Sequence, residues 1–230
     1  MLMKEIEIIG HRGCKGLEPE NTLLAFKKAI ELKINAIELD VRLTKDKKLA
    51  VIHDESLEKT TNGKGLVKEK TMQELKQLDA GKGEKIPELI EVIKLCKNKI
   101  KMHIELKEDT ADLVADLIKK EGIIDSVVIV SFNPLFLEKI KKKLNVETGL
   151  IFVKMQDNIL EQVKKAKINA LHPLTAITNK SLVDLAHENN LKIRPWTANN
   201  FKEMYRLKAL KVDGIYTDYP DRLKKVLESD

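Results

Sequence analysis

Cysteine is nearly absent from this chain. Two residues in 230, Cys14 and Cys96, make neither a disulfide framework nor the paired spacing of a zinc site. A reducing, cytoplasmic setting is the expectation. Long apolar runs are missing as well. No stretch approaches the ~18–20 apolar residues of a membrane span, so no stable membrane insertion is expected. The opening residues, Met1-Leu2-Met3-Lys4-Glu5, lack the basic segment and apolar run of a secretory signal. Aromatics are 4% of the chain, too few for the stacking platforms of a single-strand binder. The charge is basic, net +6 with a pI near 9.0. Yet lysine is interleaved with acid (Lys4-Glu5, Glu69-Lys70, Lys107-Glu108, Glu138-Lys139), and neither end carries a purely basic arm. That is the pattern of solvated helix faces, and no nucleic-acid partner is expected.

What the chain does have is alternation. Apolar, β-branched runs of strand length recur at 6–10, 36–43, 49–53, 101–106, 127–132, 148–153, 170–174, 192–197 and 214–217. Helical periodicity lies between most of them, at 21–32, 87–96, 109–121, 134–144, 159–167, 179–190 and 201–211. Only a short polar stretch, Thr44-Lys45-Asp46-Lys47-Lys48, separates 36–43 from 49–53, so those two runs read as a hairpin. Setting the hairpin arm aside leaves eight parallel strands with helical crossovers, the pattern of an α/β (β/α)8 barrel (TIM barrel). An open doubly wound sheet usually carries Gly-x-Gly-x-x-Gly, and Gly10-His11-Arg12-Gly13 does not match it. The length fits a single catalytic domain spanning 1–230. The polar segment 54–85, inserted after the second strand, reads as a small insertion or lid with apolar marks of its own at Leu57, Leu66, Met72 and Leu75.

Chemistry gathers at the C-terminal ends of these strands. In Ile37-Glu38-Leu39-Asp40-Val41, Glu38 and Asp40 share one face. Glu105 and Lys107 do the same on a second strand, with His103 below them. Carboxylates on a buried face need a cation. Spacing leaves two readings open: Glu38, Asp40 and Glu105 hold a hard divalent metal ion, Mg²⁺ or Ca²⁺, or they form a polar layer paired with Arg42 and Lys107. His11 and His53 each end an apolar run and could act as a base and an acid. His103 and His172 read as structural or substrate-lining, and His187 as a surface residue.

The ordered set His11-Arg12-Gly13, Pro19-Glu20-Asn21-Thr22, Glu38-Leu39-Asp40-Val41, His53-Asp54 and Thr60-Thr61-Asn62-Gly63-Lys64-Gly65 resembles the glycerophosphodiester phosphodiesterase family. Glu105-Leu106-Lys107, Ser131-Phe132, Pro195-Trp196-Thr197 and 213–220 extend the resemblance over nearly the whole chain. It implies a metal-dependent phosphoric diester hydrolase that converts glycerophosphodiesters to sn-glycerol-3-phosphate and an alcohol. It implies Glu38, Asp40 and Glu105 as metal ligands and His11 and His53 as the acid–base pair. Arg12 and Lys107 would neutralise the phosphate, and Trp196 corresponds to an aromatic residue at the mouth. Homo-oligomerisation is left open. A related diesterase acting on lipids would need an apolar rim or insertion helix, and 54–85 is too polar to be one.

Overall fold

A computed structural model describes residues 5–229. The residues 1–4, on which the absence of a signal was read, lie outside the described residues. In chain order the elements are β1 (Glu7–Gly10), α1 (Leu23–Glu31), β2 (Ala36–Leu43), β3 (Leu49–Val51), α2 (Met72–Leu75), α3 (Leu89–Cys96), β4 (Lys101–Leu106), α4 (Ala111–Glu121) and β5 (Val127–Ser131). They continue with α5 (Pro134–Lys143), β6 (Glu147–Phe152), α6 (Ile159–Ala166), β7 (Ala170–Pro173), α7 (Lys180–Glu188), β8 (Lys192–Ile193), α8 (Phe201–Leu210), β9 (Gly214–Thr217) and α9 (Pro220–Glu228).

Eight strands pair in parallel in the order β8-β7-β6-β5-β4-β2-β1-β9, and β3 pairs antiparallel with β2. The two ends of this path meet where Asp213 N–H donates to the Ile193 carbonyl (2.9 Å) and Tyr216 N–H donates to that of Pro195 (3.0 Å). The result is the expected (β/α)8 barrel, with the hairpin arm lying outside it. β8 is shorter than the apolar run that predicted it. Pro195 has no N–H to donate, and the regular ladder stops before it. The last helix, α9, carries no counterpart among the helices expected from periodicity. Pro220 occupies its first turn, and Pro220, Leu223 and Val226 bury a narrow face three residues apart.

Alternation along each strand sorts the side chains. On β2 and β4, Ile37, Leu39, Val41, Ile104 and Leu106 face the helices and join the main core. The barrel interior is far more polar. Glu38, Asp40, His103, Glu105, His172 and Arg194 are all buried there or at its ends. The apolar interior residues form two small groups, Ile9, Ala36 and Tyr216 in one and Val128, Val130 and Ile151 in the other. Both pack on Trp196.

The inserted segment is an ordered unit. Leu57, Val67, Met72, Leu75, Ala80 and Ile86 form a core of their own with Ala50 and Ile52. Thr71 and Glu74 close a capping box on α2. The unit is tied to the loop after β1 by Lys82 on Glu18 (2.6 Å) and to the first turn of α1 by Leu24 N–H on Glu84 (3.1 Å).

Candidate active site

Register brings the carboxylates together. Asp40 on β2 lies opposite Glu105 on β4, and Glu38 lies one inward step below Asp40. One oxygen from each of Glu38, Asp40 and Glu105 falls within 4.8 Å of the others. The loop after β1 closes over this cluster. Gly13 (φ +87) takes a left-handed backbone, and a Cβ on Gly10 would stand 2.0 Å from the Gly13 carbonyl oxygen. This tight turn delivers the Arg12 N–H to Glu38 Oε2 at 2.8 Å.

Two cations face the cluster. Lys107 Nζ stands 2.7 Å from Glu105 and 3.6 Å from Asp40. Arg12 Nε lies 3.5 Å from Asp40, while Nη1 donates to Glu20 (2.6 Å). The polar-layer reading therefore holds for Lys107 but not for Arg42, whose Nε donates to the backbone carbonyl of His53 at 2.7 Å. Arg12 takes the place that spacing had offered to Arg42, because the turn after β1 folds back over β2. Asn21 Nδ2 donates to Asp40 Oδ2 at 2.9 Å.

The cations do not fully offset the acids. Asp40 Oδ1 and Arg12 Nε are buried without a hydrogen-bond partner. Burial and the Asp40 and Glu105 charges push the Glu38 carboxyl well above its usual range. Burial and Asp40 push Glu105 up to about 7. Burial also acts to raise Asp40, but Arg12 and Lys107 outweigh it and hold that carboxyl below its ordinary value. A buried trio of hard oxygen donors with surplus negative charge, one of whose oxygens has no hydrogen-bond partner, fits a divalent cation such as Mg²⁺ or Ca²⁺.

The histidines flank this cluster, each backed by a carboxylate. His11 Nδ1 is 2.6 Å from Asp218 Oδ1 and His53 Nδ1 is 2.6 Å from Asp54 Oδ1. A carboxylate accepts, so Nδ1 carries the proton and Nε2 is left for chemistry on each ring. Burial, Arg12 and Lys107 hold the His53 imidazole below its ordinary value against the pull of Asp40 and Asp54. Asp218 is itself held by Asn199 Nδ2 (2.8 Å), and Asp54 by Lys59 (3.0 Å).

His11, Arg12, Glu38, His53, Glu105 and Lys107 line one side of a cavity of about 450 Å³, counted to its open end. Val130, Phe132, Ile151 and Trp196 line another side. Trp196 Nε1 donates to the His172 carbonyl (2.9 Å), and its ring meets Phe132 edge-on at 5.7 Å. All eight residues singled out from the sequence thus lie at one end of the barrel, and Asp40 touches the cavity only through its neighbours. Residues 55–85 contribute no lining; their closest link to the site is Asp54. At the floor the Tyr216 hydroxyl sits between His103 Nδ1 (2.6 Å) and His172 Nδ1 (2.9 Å). His187, on α7, pairs with Asp213 at the rim of the fold.

Asp218, Asp54, Asn21 and Glu20 are not singled out in the sequence, yet they contact His11, His53, Asp40 and Arg12. Their signal was present, since each stands inside a quoted motif and Asp218 directly follows β9. Nothing in the sequence pairs Asp218 with His11, 207 positions away.

Residues 11–222 match the model of the Glycerophosphoryl diester phosphodiesterase family. The chain is similar to a glycerophosphodiester phosphodiesterase of Caldanaerobacter subterraneus, with 38% identity over 234 residues covering 94% of this chain and 95% of that one. It is 37% identical to a Bacillus altitudinis protein of the same name, covering 96% and 98% of the two chains. Among solved structures it superposes on an Oleispira antarctica phosphodiesterase in complex with the product sn-glycerol-3-phosphate, at a TM-score of 0.93, 27% identity and 97% coverage of each chain.

Proposed function

Because the chain belongs to the glycerophosphoryl diester phosphodiesterase family, we propose that it hydrolyses glycerophosphodiesters to sn-glycerol-3-phosphate and an alcohol such as choline or ethanolamine. The observation that carries this reading is the pair of carboxylate-backed histidines facing one cavity beside a three-carboxylate cluster. The product bound by the Oleispira antarctica relative supports the substrate class.

In this reading Glu38, Asp40 and Glu105 hold a divalent cation, Mg²⁺ or Ca²⁺, which supplies positive charge to the phosphoryl oxygens when bound. Arg12 and Lys107 add fixed positive charge where the transition state concentrates negative charge. His53, neutral at pH 7, takes the proton from the attacking oxygen at Nε2. His11, with its Nδ1–H on Asp218, gives a proton from Nε2 to the departing alkoxide. Asp218 and Asp54 fix the two tautomers and favour the charged imidazolium as each forms. Trp196 and Phe132 bound the substrate on the apolar side. The 54–85 insertion belongs to the same catalytic domain and sets His53 through Asp54. The buried, unpaired thiols Cys14 and Cys96 support a cytoplasmic setting.

The test is a coupled assay for released glycerol-3-phosphate with glycerophosphocholine, glycerophosphoethanolamine and glycerophosphoglycerol, each with Mg²⁺, Ca²⁺ or EDTA. Turnover that EDTA abolishes is expected. No turnover of any of the three with any metal overturns the reading.

A further inference from the structure

Arg42 stands on the strand that carries the acidic cluster, yet it serves another group. Alternation places it on the face of Glu38 and Asp40, one step further toward the C-terminal end of β2. Its half-buried side chain reaches the hairpin arm instead, where Nε donates to the backbone carbonyl of His53 at 2.7 Å.

His53 is the histidine that closure of the barrel does not place. His11 continues β1, and its N–H still donates to the Thr217 carbonyl on β9 (2.9 Å). The arm that leads to His53 is different. β3 pairs only with β2, outside the ring, and it ends at Val51. Beyond that point Ile52 N–H donates to the Asp40 carbonyl (3.1 Å). Further along, Val67 N–H donates to the Glu55 carbonyl (2.9 Å), within the insertion. Between these two bonds, Arg42 is the one donor to the His53 carbonyl among the described residues. The imidazole is steered separately, by Asp54, which the exposed Lys59 holds in turn. Those contacts belong to the loop and move with it. Arg42 ties the peptide of His53 to the strand that carries Glu38 and Asp40. The charges that weigh most on the His53 imidazole are those of Asp40, Arg12 and Lys107, so the contribution of Arg42 is one of place.

We propose that Arg42 is a positioning residue for the reaction: it fixes the His53 ring at its distance from the carboxylate cluster and so sets the base against the attacking oxygen. This rests on the diesterase reading and adds a residue to it. A guanidinium donating to a carbonyl is a charge-assisted bond, stronger than the peptide–peptide bonds on either side of it. Without it the loop is free to swing about Ile52. A displacement of about an ångström at a reacting group costs up to about 100-fold in rate.

The experiment measures kcat and KM for glycerophosphocholine in three variants of Arg42, each alone and combined with His53→Ala. Arg42→Gln sets an amide N–H as many bonds from the backbone as Nε, without the charge. Arg42→Met keeps the stem and has no donor. Arg42→Lys keeps the charge but carries its nitrogen one atom further out. Arg42→Met should lower kcat by about 10- to 100-fold and leave KM within about twofold. Arg42→Gln should recover most of that loss. On the His53→Ala background, Arg42→Met should cost less than about twofold, because no ring is left to place. The comparison of glutamine with lysine decides even where Arg42→Met fails to fold. Wild-type kcat in Arg42→Met overturns the inference. So does a loss of equal size with and without His53, which marks a purely structural residue. Activity kept by lysine and lost by glutamine marks a charge acting on the phosphate, and overturns it too. All three leave the diesterase reading standing. Absence of turnover by the wild type with Mg²⁺ or Ca²⁺ overturns that reading, and this inference with it.

Discussion

Glu105→Gln tests whether the carboxylate cluster is built for a cation at the expense of the metal-free protein. Glu105 is 8% exposed, and burial with the Asp40 charge pushes its carboxyl up to about 7 from an ordinary 4.5. The native protein therefore holds a proton on this group between pH 4.5 and 7 that the unfolded chain has released. A raised carboxyl contributes stability that is present below the unfolded value and is lost as pH rises through the folded one. At about 1.4 kcal/mol per pH unit, the loss amounts to about 3 kcal/mol by pH 8. Glutamine keeps the shape and the Lys107 contact through its carbonyl oxygen, and its amide can donate to the unpartnered Asp40 Oδ1. In EDTA at pH 8 the variant should melt above the wild type by roughly 6–12 °C, at about 2–4 °C per kcal/mol for a chain of this size. At pH 4.5 the two should nearly coincide. Added Mg²⁺ or Ca²⁺ should raise the wild-type midpoint far more than that of the variant. Calorimetric melting across this range is the assay. A variant that melts below the wild type at pH 8 in EDTA, or that keeps the wild-type slope with pH, refutes the reasoning.

Other perturbations probe the site and its scaffold. His11→Ala and His53→Ala should each lower kcat by ~10²–10⁴ with the fold intact; near-wild-type turnover by both, checked against their circular dichroism, would remove the acid–base assignment. Asp218→Ala removes a 2.6 Å charge-assisted contact to His11. Such bonds are worth about 1.5–3 kcal/mol, so kcat should fall by roughly 10- to 150-fold while KM changes little. Cation affinity, measured by titration calorimetry, should weaken as pH falls below about 7, because Glu105 must release its proton to bind. An affinity that stays level from pH 8 to 5.5 would contradict this. Arg194→Leu removes a buried guanidinium and leaves the half-buried Glu7 and Glu147 without the group that bridges them at 2.8 and 2.6 Å. A loss of about 3–5 kcal/mol in denaturant unfolding is expected.

Much of this molecule was legible in the order of its residues. Period-two runs separated by helical stretches imply parallel strands with crossovers, and eight of them at this length imply closure. Glu38 and Asp40 announce a buried acidic face because a strand alternates. His11 and His53 announce a site because each ends an apolar run. Those inferences are local, and local geometry is the part of folding that a one-dimensional pattern carries. The helix α9 escaped because its buried face is three side chains wide, too narrow to stand out from its charged neighbours.

Only the tertiary structure decided which groups act on one another. Asp40 is paired by Arg12 rather than Arg42, since a turn through Gly10 and Gly13 folds the first loop over β2. Asp218 reaches His11 because β9 and β1 are neighbours in the closed ring. Val130 and Ile151 line the same side of the cavity because β5 and β6 lie side by side. The sparse aromatics and cysteines exclude stacking platforms and disulfide scaffolds from the sequence alone. The chemistry of this protein depends on charge and shape at the ends of strands, and closure of the barrel is what brings those ends together.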